Sequence, residues 1–150
     1  MHDDEAAITR LIFAYAERLD AGDLDGVADL LADATFRSDA RADGVHGRDA
    51  ILRLYRDTVR LYENGTPCTK HVTTNVVVEV EPSRVEATAR SYFTVLQATP
   101  ELPLQPIIAG RYQDRFRKES GAWRFRERRI LVDLVGDLRH HLKSALPAGR

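Results

Sequence analysis

The feature that most constrains this chain is a single change of hydrophobic period near Pro67. Before it, apolar side chains recur every three or four residues; after it, they alternate one in two. The first spacing marks a helix with one buried face, the second a half-buried strand. Helices first and long strands after is the α+β pattern, with the helices covering one face of a mainly antiparallel sheet.

The helical half divides at its polar punctuation. Ile8, Leu11, Ile12, Tyr15 and Leu19 define one face of a helix over residues 3–20. Gly22 suits the C′ position after it, and Asp23 suits the N-cap of a second helix reaching Leu31. Thr35 to Arg41 reads as a short strand, broken by Asp43-Gly44. Gly47 leads into a third helix that buries Ile51, Leu52, Tyr55, Val59 and Tyr62, and Asn64-Gly65-Thr66-Pro67 stops it.

In the second half, Val72, Thr74, Val76, Val78 and Val80 alternate with His71, Thr73, Asn75, Val77 and Glu79. The valine-rich face is the expected core, and the mixed face suits the lining of a pocket. Pro82-Ser83 turns the chain into a strand from Arg84 to Thr99. A loop holding Pro100, Pro103 and Pro106 precedes a strand from Ile107 to Lys118, and Glu119-Ser120-Gly121 leads to a last one from Trp123 to Val132. Beyond Asp133 the tail reads as a short helix ending before Pro147. Long antiparallel strands twist and coil. Three N-terminal helices packed on so strongly curved a sheet make a cone-shaped α+β barrel with a cavity between the layers. With no internal repeat, one domain is expected over residues 1–150, its core at about 4–137.

Charge and cysteine usage then remove whole classes of function. The 22 basic and 23 acidic side chains nearly cancel, so no global field recruits nucleic acid or an anionic membrane. No apolar run has the length of a membrane span. Cys68 is the one cysteine, which excludes an internal disulfide and a thiolate zinc cluster and leaves a partly buried structural thiol. The acidic N-terminus lacks the apolar stretch of a signal peptide, and a cytoplasmic protein is expected. Neither a glycine-rich phosphate loop, nor a serine elbow, nor a His/carboxylate metal cluster appears; the expected site uses no cofactor and no metal. A broad apolar sheet face predicts a homo-oligomer, dimer or trimer.

Two residues sit where an inert role is strained. Asp20 closes the first helix, where the macrodipole disfavours an anion, and it lies on the flank of the apolar stripe. His71 opens the alternating strand on its mixed face. Together they would make a carboxylate–imidazole dyad, which can take a proton from carbon near neutral pH. The aspartate would orient the ring and favour imidazolium, leaving the other nitrogen free to accept the proton. Thr73 and Asn75 share the face of His71 and are candidate substrate contacts, as are Tyr55 and Tyr112, which otherwise read as core or cavity wall. Tyr15 is a core aromatic whose hydroxyl needs a partner if buried. His140-His141 reads as solvated, and His46 carries no role.

Tyr15-x-x-x-x-Asp20-x-Gly22-Asp23 and Gly110-x-Tyr112…Gly121-x-Trp123, in this order of elements, resemble the SnoaL-like branch of the nuclear-transport-factor-two-like superfamily. The resemblance covers about Asp4 to Asp137. The functional look-alikes are scytalone dehydratase, hexachlorocyclohexane dehydrochlorinase and the bile-acid dehydratase, in which an aspartate ending the first helix pairs with a histidine opening the long strand. Asp20 and His71 match those positions, and His71-x-x-Thr74-Asn75 is similar to the dehydrochlorinase strand. By the same resemblance Arg128 falls at a catalytic arginine, and Tyr15 at a functional tyrosine of the bile-acid enzyme. Strand parity instead groups Arg128 with the solvated Arg124 and Arg126, unless a bulge shifts the register. The second histidine of scytalone dehydratase falls here near Val95, and its first-strand tyrosine near Ala40, which argues against a scytalone-type substrate.

Two functions from different classes follow. One is a cofactor-independent lyase, dehydratase or isomerase acting on a small, largely apolar cyclic compound. His71 and Asp20 would abstract the proton; Arg128 or Tyr15 would stabilise the anion or protonate a leaving oxygen. The other is a non-catalytic ligand-binding or assembly domain, such as a dioxygenase small-subunit-like protein. An enclosed pocket with a paired dyad favours the first; a filled cup or a surface His71 favours the second.

Overall fold

Helix α1 (His2–Asp20) buries Ile8, Ile12, Tyr15, Ala16 and Leu19, a stripe at helical spacing, in the computed structural model, which describes residues 2–144. A Schellman arrangement ends it: the Asp23 N–H donates to the Arg18 carbonyl at 2.9 Å and the Gly22 N–H to the Leu19 carbonyl at 3.0 Å. Gly22 takes φ +76°, and a Cβ there would lie 1.9 Å from the Gly65 carbonyl oxygen. Only glycine lets the chain leave the helix at that point, and this fixes where Asp20 stands. Asp23 then caps α2 (Leu24–Leu30) by accepting from the Gly26 N–H at 2.8 Å.

A hairpin of β1 (Thr35–Ser38) and β2 (Arg41–His46) separates α2 from α3 (Arg48–Thr58). Asp43-Gly44 therefore does not break the strand; it lies inside β2. Helix α3 stops at Thr58, short of Tyr62, which lies in the following loop with its hydroxyl donating to the His140 carbonyl.

The long strands are β3 (Thr69–Val80), β4 (Glu86–Thr99), β5 (Leu102–Glu119) and β6 (Ala122–Val135). Among the described residues six strands form one sheet in the order β2-β1-β6-β5-β4-β3, antiparallel throughout except for the parallel pair β1–β6. Register breaks at several places along these ladders bend the sheet around the helices. Apolar side chains from the concave face and from α1, α2 and α3 form one continuous core.

Three expectations need correction. Strand β5 begins at Leu102 and includes Pro103 and Pro106. The β6 partners of β5 run out at Ile108, so both prolines lie where β5 pairs with β4 alone and a missing N–H is tolerated. In β3 the valine face is not continuous core: Val72 is exposed, whereas Val76, Val78 and Val80 pack inward. The register shifts between Thr74 and Val77, with Asn75 at φ +54°, and the inward parity changes there. Residues 136–144 form no helix of several turns; the rest of the expected tail helix lies outside the described residues.

Asp4 ties the start of α1 to the far end of the sheet. Its carboxylate is buried and accepts from Trp123 Nε1 at 2.9 Å, Lys118 Nζ at 3.0 Å and the Arg84 guanidinium at 2.5 and 2.9 Å. Those donors hold its pKa well below the ordinary carboxylate range.

Candidate active site

Asp20 and His71 come together where the last turn of α1 meets the start of β3. The carboxylate accepts three hydrogen bonds: Oδ1 from His71 Nδ1 at 2.6 Å and from Thr69 Oγ1 at 2.8 Å, and Oδ2 from the His71 backbone N–H at 2.8 Å. Both side chains are largely shielded, at 6% exposure for His71 and 13% for Asp20. Burial raises the Asp20 pKa, but the bonds and attraction from His71 and the Thr69 hydroxyl outweigh it, and the net shift is downward. An ionised carboxylate only accepts, so Nδ1 donates, and in the neutral ring Nε2 is then the nitrogen with the lone pair.

A cavity of about 500 Å³ lies between the sheet and the helices, and His71 is in its wall. The rest of the lining is mostly apolar: Leu19, Leu54 and Val59 from the helical side, Phe93, Val95, Ile108, Ile130 and Val132 from the strands, and Leu138 and Leu142 from the C-terminal segment. Asp39, Ala40 and Arg41 in the β1–β2 hairpin are exposed and contribute to the rim. Asp20 does not border the cavity itself; it backs the histidine that does.

Three tyrosines add hydroxyls to the wall. Tyr15, Tyr55 and Tyr112 are buried and line the cavity, and the Tyr15 and Tyr55 hydroxyls are 2.5 Å apart. Burial raises all three phenols above their ordinary pKa, so they are neutral at pH 7.

Arg128 stands behind them rather than in the wall. The pairing of β5 and β6 shifts between Arg115/Glu127 and Phe116/Phe125, with Arg126 as the extra residue. The bulge carries Arg128 inward from the parity of the solvated arginines, which corrects the exposed-face reading. It is fully buried, makes a bidentate pair with Asp114 at 2.8 and 2.9 Å, and lies 3.8 Å from the Tyr112 ring centre and 4.2 Å from that of Tyr15. Burial pushes the Asp114 carboxyl up and the guanidinium pulls it down; the two-pronged geometry is that of an ion pair. No contact with substrate is open to Arg128 without rearrangement of the rings.

Thr73 and Asn75 are not in the cavity wall. Thr73 has inward parity and is half-buried beyond His71, while the bulge turns Asn75 to the exterior. His141 is the reverse case. Read as solvated, it is 6% exposed and lines the cavity, its ring centre 6.1 Å from that of His71. A signal for it exists in the sequence: Leu138, His141 and Leu142 share the i, i+3, i+4 spacing of one helical turn. That turn forms, the Leu142 N–H donating to the Leu138 carbonyl at 2.9 Å. Among the described residues no cluster of three or more His, Cys, Asp or Glu side chains is placed to hold a metal, and no helix is long and apolar enough to cross a membrane.

Comparison with known proteins agrees with this architecture. The sequence profile of the SnoaL-like domain matches residues 2–129. Rv3472 of Mycobacterium tuberculosis, a protein of unknown function solved as an aspartate-to-asparagine variant, is similar at 28% identity and TM-score 0.70, over 87% of this chain and 72% of that one. A Novosphingobium aromaticivorans protein described provisionally as a scytalone dehydratase is similar at 27% identity and TM-score 0.71, over 100% and 99% of the two chains. An NTF2-like protein with a cystatin-like fold from the same organism shares the fold at 22% identity and TM-score 0.71, over 87% and 82%. The search of curated proteins returns no match.

Proposed function

The chain belongs to the SnoaL-like domain family, and from that premise we propose that it is a cofactor-independent lyase or isomerase acting on a small, largely apolar cyclic compound. The observation that carries this reading is the two-point hold of Asp20 on the backbone and ring of His71, steadied by a third bond from the Thr69 hydroxyl. It fixes the ring, commits the proton to Nδ1 and leaves Nε2 as a base beside an apolar cavity. Removal of a proton from carbon makes an imidazolium, which the buried Asp20 charge stabilises. The paired hydroxyls of Tyr15 and Tyr55 offer a hydrogen bond to a leaving or carbonyl oxygen. Arg128 acts only through the rings of Tyr15 and Tyr112, as a positioning residue.

Similarity to the protein described as a scytalone dehydratase supports the dehydratase form of this reading. Val95 and Ala40, both in the cavity lining, differ from the residues scytalone recognition would need, so the substrate is a different cyclic compound. The test is a thermal-shift screen of cyclic ketones, hydroxy-ketones and sterol-like compounds, followed by turnover of the hits. His71→Ala should abolish turnover while the melting temperature holds. Full activity in that variant on a validated substrate would overturn the reading.

A further inference from the structure

The dyad leaves His141 without a task, although it is built into the same wall. Its backbone is clamped: its N–H donates to the Leu138 carbonyl at 3.1 Å, and its carbonyl accepts from the Arg60 N–H at 2.9 Å. Val59 and Leu142 bridge alongside, and Gln97 Nε2 ties the preceding residue by donating to the His140 carbonyl at 2.9 Å. The ring has no such support. Nδ1 is sealed from solvent and has no hydrogen-bond partner among the described residues, so Nε2 is the nitrogen that keeps access. Buried imidazoles normally satisfy their nitrogens within the protein. A ring this well placed, with nothing to bond, is a place for a ligand atom.

Charge and tautomer follow from the surroundings. Burial and the neighbouring His71 push the His141 pKa down, and the attraction of Asp20 does not offset them; the value falls to about 4. The ring is therefore neutral at pH 7. A sealed N–H without an acceptor is rarer and costlier than a sealed lone pair, so the proton sits on Nε2.

We propose that His141 donates a hydrogen bond from Nε2 to the oxygen of a carbonyl substrate whose adjacent carbon loses its proton to His71. This rests on the dyad reading and narrows its substrate class to cyclic compounds with an acidic hydrogen beside a carbonyl. The rings meet edge-on, their planes 65° apart and their centres 6.1 Å apart, close enough for one H–C–C=O unit to contact both at about 3 Å. As His71 Nε2 takes the proton, the C–H pair becomes a C=C bond and the carbonyl π pair moves to oxygen. That oxyanion is what the His141 N–H stabilises; a neutral imidazole suffices to polarise a carbonyl in this way. The proton then returns from the His71 imidazolium to another carbon, giving an isomer, or to a departing β-hydroxyl, giving water and an enone.

The experiment uses the full chain and two probes of one shape, cyclohexanone and methylenecyclohexane, of which only the first carries an oxygen. Long-range ¹⁵N spectra of the histidine rings at pH 7 should show His141 protonated at Nε2, and cyclohexanone should shift that signal. His141→Phe should weaken cyclohexanone about tenfold or more and leave methylenecyclohexane unchanged. His141→Gln, which keeps an N–H in reach, should restore most of the loss. Equal losses for both probes, no loss for either, no binding of either to the wild type, or a His141 ring protonated at Nδ1 would each overturn the proposal. If His71 instead carries its proton on Nε2, the dyad reading fails, a result visible in the same spectrum and separate from the His141 signals.

Discussion

Asp20 occupies the last turn of α1, where the helix dipole opposes its charge by some tenths of a kcal/mol, and three donors more than compensate. Asp20→Asn keeps the shape but brings its own N–H donors to a place that holds only donors. The His71 ring must turn over or change tautomer, and Nε2 then ceases to be a base. We expect kcat to fall by about 10³–10⁴-fold, with the ¹⁵N spectrum of His71 showing the changed ring. Arg128 makes the opposite case. It carries more structure than chemistry, because its removal leaves the Asp114 carboxylate alone in the core. Arg128→Ala should cost about 3–5 kcal/mol in urea unfolding, and pairing Arg128→Met with Asp114→Leu should recover much of it. If Arg128→Ala unfolds in urea like the wild type, the arginine does not carry that structural role.

At the scale of the element, the sequence was most readable where period and punctuation agree. The helix faces of α1 and α3, the Gly22–Asp23 junction and the order of the four long strands could all be read from spacing alone. Bulges were not readable. One extra residue at Asn75 and another at Arg126 each exchange the two faces of a strand, and no local pattern marks where the sheet must bend. Strict alternation therefore points Asn75 into the cavity and sets Arg128 beside solvated arginines. The turn of residues 138–142 is marked only by Leu138, His141 and Leu142, because a single turn is shorter than a periodic window. Its histidine makes stability depend on pH. His141 titrates at about 6.5 when unfolded and about 4 when folded, so between those values the unfolded chain binds the extra proton. Stability is fully present above pH 6.5 and falls through that window by about 3 kcal/mol. Urea titrations at pH 7.5 and pH 4.5 should show this loss in the wild type and a smaller one in His141→Phe. Equal losses in the two proteins would remove His141 as the cause.

At the scale of the molecule, a curved sheet and three helices cannot bury all of their facing side chains against one another. The helices end where the strands flare, and the remainder is the cavity. Its lining is mostly apolar, with the tyrosine hydroxyls, the two histidines, Ser38, Asp39, Arg41, Thr58 and Ser144 as its polar groups, so an apolar guest is bound by area and placed by those groups. A guest that binds only the folded chain raises stability with its concentration, by about 2.7 kcal/mol at one hundred times its Kd. Ile130, half-buried on β6 and facing the cavity, is the position from which to test this. Ile130→Trp should fill space the native fold leaves empty, so the variant should melt near the wild-type temperature. The shift given by any cyclic ketone found in the screen should then shrink severalfold, while the Asp20–His71 pairing stays visible in the ¹⁵N spectrum. An undiminished shift in Ile130→Trp would mean that the compounds bind elsewhere. The cavity would then no longer be the place where the dyad meets its substrate.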